Sequence, residues 1–149
     1  MTTIKQKITP FLWFDTQALE AAKFYGTIFK NSKILNASPM VVTFELEGQK
    51  FMALNGGPQF KFTEAFSLFV ECETQEEVDE LWEKLSAGGA KSQCGWLKDK
   101  YGLSWQVIPS ILMKLMSDPD PVKSGRVMQA ILKMSKIEIK LLQEAYDQK

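Results

Sequence analysis

Apolar and polar positions along this chain follow one order of periods, and that order is written twice. In residues 8–14 the side chains alternate as in a strand, whereas residues 17–29 place Leu19, Ala22, Phe24 and Ile28 at helical spacing behind Asp15 and Thr16 as nearby caps. Residues 33–37, 41–46 and 50–54 return to strand character, with Glu47-Gly48-Gln49 as the turn of the middle hairpin. After the Asn55-Gly56-Gly57-Pro58 turn the order restarts. Residues 66–72 read as a strand. Thr74 opens a helix whose buried stripe is Val78, Leu81, Trp82 and Leu85, and Gly88-Gly89 stops it. The pattern predicts an α+β protein of two βαβββ modules, residues 1–57 and 58–110, forming a curved mixed sheet with the two helices on its outer surface.

The second module closes in a hairpin. Residues 92–97 are predicted as one strand, residues 98–102 as a turn in which Gly102 takes a positive φ, and residues 103–108 as the return strand, ended by Pro109. On that return strand Leu103, Trp105 and Val107 share one face, while Ser104, Gln106 and Ile108 share the other. The second face is mixed in polarity, as a ligand surface would be. Beyond it, residues 111–149 form a helical tail. Asp118-Pro119-Asp120-Pro121 starts a helix over 122–134, and a further helix runs over 137–146. The polar faces of both helices mix acidic, basic and amide residues, which favours packing against the modules or a partner subunit over a membrane role.

Composition narrows the partners. The 149 residues are 45% hydrophobic and 24% charged, enough for one sizeable core, and 18 basic residues balance 18 acidic ones. A chain of zero formal charge carries no electrostatic footprint for nucleic acid. The first ten residues contain no apolar segment of the secretory type and no run approaches membrane-spanning length, so the expectation is a cytoplasmic protein without membrane association. Cys72 and Cys94 are the two cysteines, read as reduced thiols.

Three stretches carry a family resemblance: CGWLKDKYGLSWQVIP at 94–109, LNGGPQFKFTEAFS at 54–67 and ITPFLWFDTQALEAAKFY at 8–25. In that order they resemble the PhnB-like branch of the vicinal oxygen chelate superfamily, which includes glyoxalase I and bleomycin-resistance proteins. The resemblance spans nearly the whole chain. It implies a glyoxalase-like fold, a pocket inside the curved sheet and a homodimer. Members of the branch bear the label 3-demethylubiquinone 3-methyltransferase, yet the chain has no Gly-rich strand-to-helix loop of the kind a nucleotide-like cofactor needs, so no cofactor is expected.

Catalytic members of the superfamily hold a divalent metal through His, Glu or Gln on strands of both modules, and here the chain departs from them. It contains no histidine. Gln106 falls where metal-binding relatives carry their last-strand carboxylate, and one amide cannot hold a metal. No metal site is therefore expected. The substrate-binding candidates are Trp13, Asn55, Trp96, Trp105 and Gln106, of which Gln106 is the sharpest, because an amide enclosed between Trp105 and Val107 must be solvated or paired. Cys94 is read as an inert thiol, lacking a cation to activate it. The reading is a protein that binds an unidentified small molecule, with metal-independent catalysis left open. Its alternative is a non-catalytic dimeric scaffold or interaction module whose pocket is filled by its own aromatics.

Overall fold

The computed structural model describes residues 5–148, which form two compact units, one ending at Phe62 and one beginning at Thr63. In the first unit, β1 (Phe11–Phe14) leads into α1 (Ala18–Ile28), followed by β2 (Ser32–Ala37), β3 (Val41–Leu46) and β4 (Gln49–Asn55). These strands make a mixed sheet of order β1-β4-β3-β2, in which β1 runs parallel to β4 and the other pairs are antiparallel. The second unit repeats this with β5 (Ser67–Cys72), α2 (Gln75–Ser86), β6 (Ala90–Lys91), β7 (Trp96–Lys98) and β8 (Ser104–Pro109). Its sheet has the corresponding order β5-β8-β7-β6, with β5 parallel to β8. The predicted α+β class of paired βαβββ modules is therefore observed, its strands lying in two four-stranded mixed sheets.

In the first unit, the rows of Leu12, Phe14, Val42, Phe44, Phe51 and Ala53 are buried, and α1 packs on this face. The helix meets the sheet through Ala18, Ala21, Ala22, Tyr25 and Ile28, whereas Leu19 is exposed and Phe24 only half-buried. The expected stripe through Leu19 and Phe24 is thus rotated by about one residue. Small alanines let the helix approach the sheet closely, and Tyr25, fully buried, fills the space that Phe24 was expected to fill. The caps also differ. Gln17 occupies the N-cap without a side-chain cap bond, and the amide of Ala18 donates instead to Asn55 Oδ1 at 2.8 Å. The helix start is closed by a residue 37 positions away in sequence.

In the second unit, α2 packs on β8, β7 and β5 through Val78, Leu81, Trp82 and Leu85, as the helical spacing predicts. Thr74 Oγ1 accepts from the Glu77 amide at 3.1 Å, and Glu77 Oε2 accepts from the Glu73 amide at 3.2 Å, a reciprocal cap at the helix start. The strand expected over 92–97 is interrupted. Cys94 and Gly95 have φ of 59° and 83°, left-handed values that cannot continue a ladder, so β6 is two residues long and separated from β7 by a loop. Both residues turn their amides away from the sheet, toward the carbonyls of Met134 and Ser135.

The tail belongs to this second unit. It comprises α3 (Ser110–Met116), a helix that the periodicity did not show, then α4 (Pro121–Ile131) and α5 (Ile139–Asp147). Asp120 caps α4, its Oδ1 accepting from the Val122 amide at 2.9 Å, with Pro121 at the first helical position. Ile108 joins Leu112, Leu115, Val127, Ile131, Met134, Ile137 and Leu142 in one buried cluster. Ile108, assigned by alternation to the mixed face, is thus covered by the tail.

One close approach sets the hairpin. A Cβ on Gly89 would lie 2.1 Å from the Lys98 carbonyl oxygen and 2.6 Å from the Asp99 carbonyl carbon. Gly125, inside α4, has nothing within 4 Å of its would-be Cβ. Gly89→Ala is expected to lower stability by about 3 kcal/mol through a clash with rigid backbone. Gly125→Ala is expected to raise it by about 0.5–1 kcal/mol through helix propensity. Urea midpoints of the two variants check both signs.

Candidate functional site: the open face of the second sheet

The register of β8 divides the second sheet into two faces. Leu97, Trp105 and Val107 are buried on the α2 side. On the other side, the pairings of Ser104 with Lys98 and Ser67, and of Gln106 with Trp96 and Phe69, lay out two cross-strand rows. One row is hydroxyl, hydroxyl and ammonium. The next is two aromatic rings flanking an amide, with Phe69 49% exposed and Trp96 half-buried.

The hairpin loop holds this register. Asp99 is 2% exposed, and its Oδ1 accepts from the amides of Tyr101 and Leu103 at 2.8 and 3.1 Å, while Oδ2 accepts from Trp105 Nε1 at 2.9 Å. Gly102, with φ of 89°, closes the turn. One side-chain carboxylate therefore satisfies the loop amides and orients the Trp105 indole into the core.

A cavity of about 600 Å³ opens on this face, lined among others by Glu64, Ser92, Cys94, Trp96, Lys98 and Ser104. Lys98 forms an ion pair with Glu64 across it. The Lys98 ammonium, as hydrogen-bond donor and as nearby charge, holds the Glu64 carboxyl below its usual range, so the bridge persists into mildly acidic solution. Ser104 is 1% exposed, and its Oγ has no hydrogen-bond partner among the described residues. A buried hydroxyl without a partner costs about 1–3 kcal/mol, and Ser104 is among the residues that line the cavity.

The residues singled out from the sequence fall in different surroundings. Trp96 lines the cavity, and Gln106 lies one row away, its Nε2 donating to Ser67 Oγ at 3.0 Å. Trp105 faces α2 and is 2% exposed. Trp13 and Asn55 belong to the first unit. There Trp13 Nε1 donates to the Gly57 carbonyl at 2.9 Å, its ring lies against Gly56, and Phe60 meets it edge-on at 4.9 Å. Asn55 donates to the Pro39 carbonyl at 3.0 Å besides capping α1. Ser104, Lys98 and Glu64 are site residues that the sequence pattern does not single out. Ser104 was within reach, because strand alternation places it on the face of Gln106, two positions away. Glu64 was not, since it lies outside any strand.

A model of the 3-demethylubiquinone-9 3-methyltransferase family matches residues 6–108. The chain belongs to that family. Among solved structures, the PhnB protein of Bacillus cereus is 39% identical over 70% of this chain and 100% of its own, with a TM-score of 0.65. Protein PA1353 of Pseudomonas aeruginosa, at 18% identity, covers 70% of this chain and 98% of its own with a TM-score of 0.59. The fosfomycin resistance protein FosX of Listeria monocytogenes, solved with Mn(II) and sulfate, is 18% identical over 69% of this chain and 88% of its own, with a TM-score of 0.53. At 18% identity, PA1353 and FosX show that this fold is shared beyond the family. No curated protein sequence matches the chain. The family match stops at 108 and leaves the helical tail outside it.

The groups that these relationships bring to mind do not fit the residues present. For a divalent metal, no set of three or more His, Cys, Asp or Glu converges among the described residues. For a nucleotide-like cofactor, the β1–α1 and β5–α2 turns, residues 15–17 and 73–74, contain no glycine and so lack the Gly-rich strand-to-helix loop of dinucleotide-binding folds.

The two thiols differ sharply. Burial pushes the Cys72 thiol up to about 12, helped by the nearby charges of Glu77, Glu73 and Glu71, whereas Cys94 is half-buried in the cavity wall. At pH 8 iodoacetamide is expected to add one carbamidomethyl group to the native protein, on Cys94, and two in denaturant. Intact mass and peptide mapping check this.

Proposed function

We propose that this protein binds a small uncharged molecule, with a flat apolar face and a hydrogen-bonding group, on the open face of its second sheet and without a metal. The observation that carries this reading is the unpartnered Ser104 hydroxyl, buried in the wall of a cavity that Trp96 also lines. A hydroxyl can donate and accept, so it suits a phenol, carbonyl or amide. The Trp96 ring offers a stacking surface. Glu64 and Lys98 neutralise each other, leaving no uncompensated charge for an ionic ligand. Gln106, held by Ser67, presents a second amide on the neighbouring row. This set binds and orients, and nothing in it forms a nucleophile and base pair. Methyl transfer, which the family label names, is not part of the proposal.

The exposed aromatics Phe11, Phe60, Phe66 and Phe69 support the further reading that the protein works as a homodimer, and the cytosol is the compartment proposed for it. Among the described residues no helix is long and apolar enough to cross a membrane. Sedimentation at micromolar concentration is expected to give a dimer, and a monomer throughout would remove this part of the reading.

Ser104→Ala separates stability from binding. Deleting an unpaired buried hydroxyl is expected to stabilise the free protein by about 1 kcal/mol, while weakening ligands about tenfold through the lost hydrogen bond. Thermal melts supply the first sign. Chemical-shift titrations with phenol and benzamide, against benzoate and benzylamine as charged controls, supply the second. The uncharged pair is expected to shift Trp96, Lys98 and residue 104, and no shift there from either would overturn the proposal.

A further inference from the structure

The cavity wall at Ser92–Cys94 is not held by the sheet in the ordinary way, and its partners lie in the tail. Cys94 and Gly95 donate their amides to the carbonyls of Met134 and Ser135, each at 2.8 Å, and Ser135 Oγ donates back to the Ser92 carbonyl at 2.5 Å. The Gly95 carbonyl in turn accepts from the Val107 amide of β8 at 2.8 Å. Gly95 is required here by space as well as by φ. A Cβ on it would lie 2.8 Å from Ile108 Cδ1 and 3.1 Å from Ile137 Cγ1.

The same tail segment is tied down beyond the wall. Gln75, at the start of α2, donates from Nε2 to the Ile137 carbonyl at 3.0 Å, and its Oε1 accepts from the Ile139 amide at 2.7 Å. Just before these bonds Lys136 pairs with Asp79 at 2.9 Å, and Ile137 is fully buried. Residues 134–139 thus run as a strap from the cavity wall to α2, and only one of the two ends touches the candidate site.

We propose that this strap sets the shape of the ligand cavity, with Ser135 and Gln75 as positioning residues that act through the Ser92–Gly95 wall. The proposal deepens the binding reading by naming what shapes its site, and it rests on that reading for the effect on ligands. The local left-handed turn at Cys94 is stable because the strap accepts its amides, since a non-glycine residue in that region is otherwise strained. By linkage, a ligand seated against the wall and a docked strap stabilise one another.

Cys94 is a built-in reporter, because it lies in the wall while Cys72 is buried and protonated. Ser135→Ala, which loses one hydrogen bond to the wall, and Gln75→Ala, which loses two to the strap, are each expected to speed iodoacetamide labelling of Cys94 by about tenfold or more, and to speed exchange of the Cys94 and Gly95 amides similarly. Amides in the middle of α2 are expected to keep their protection. Ser135→Thr, which retains the hydroxyl, restores slow labelling. Arg126→Ala is the control, because Arg126 bonds the Ala145 and Tyr146 carbonyls at the far end of the tail and does not touch the wall. It is expected to leave Cys94 labelling unchanged within about twofold, well under the tenfold change expected for the strap variants.

Unchanged labelling of Cys94 in Gln75→Ala, with amides 137–139 exchanging faster, would overturn the proposal by showing a self-supporting wall. Equal acceleration in Arg126→Ala would overturn it too, because the effect would then be general loosening. The labelling needs no ligand, so it stands if phenol and benzamide fail to bind. If they bind, Ser135→Ala is expected to weaken both.

Discussion

The buried Asp99 carboxylate is the interaction on which the second unit's organisation rests. It accepts two loop amides and the Trp105 indole, and in doing so it pins where β7 ends and β8 begins. Register matters here because side chains alternate between faces, and a slip of one residue would exchange them all. With Asp99 in place, Trp105 and Val107 enter the core beneath α2 while Ser104 and Gln106 face outward from it. Gly89 approaches the same backbone so closely that no side chain fits, which fixes the hairpin from the α2 side as well.

The two units solve one topological problem with different chemistry. Each joins its first and last strands in parallel and covers one sheet face with a helix, so each leaves the other face without a helix of the module itself. The first unit starts its helix with Asn55, supplied from β4, whereas the second uses the local Thr74 and Glu77 pair. Their uncovered faces differ too. On the first, Phe11, Trp13, Val41, Met52 and Leu54 lie beside a Lys33–Glu45–Lys50 row, while the second carries the Ser67–Ser104–Lys98 row. Polar groups held in fixed positions beside aromatic rings give orientation as well as affinity, which is why the second face is the one proposed for binding.

The tail changes what the second unit can do. Its buried cluster reaches Ile108 on β8, and its 134–139 segment takes up the amides of an interrupted strand. The two-residue β6 and the left-handed Cys94 are consequences of that arrangement. A segment outside the family match therefore forms part of the support of the cavity.

Period and punctuation in the sequence determined most of the elements. The strand at 41–46, the α2 stripe, the Gly48 and Gly102 turns and the prolines before α4 all follow from local preferences that need few distant partners. The sharing of one face by Ser104 and Gln106 followed from alternation once the hairpin was recognised, whereas the pairing of Gln106 with Trp96 came from the register. Tertiary structure alone decided the rest. Asn55 became a helix cap, Tyr25 took the core place expected of Phe24, and residues 92–95 left the ladder as a loop, each through partners distant in sequence. The candidate site is the same case. Ser104 gains its meaning from burial without a partner, and Glu64 and Lys98 from their meeting across the cavity. Alternation assigns a side chain to a face of a strand, but what lies opposite that face depends on how distant segments pack, and this cannot be read from local spacing.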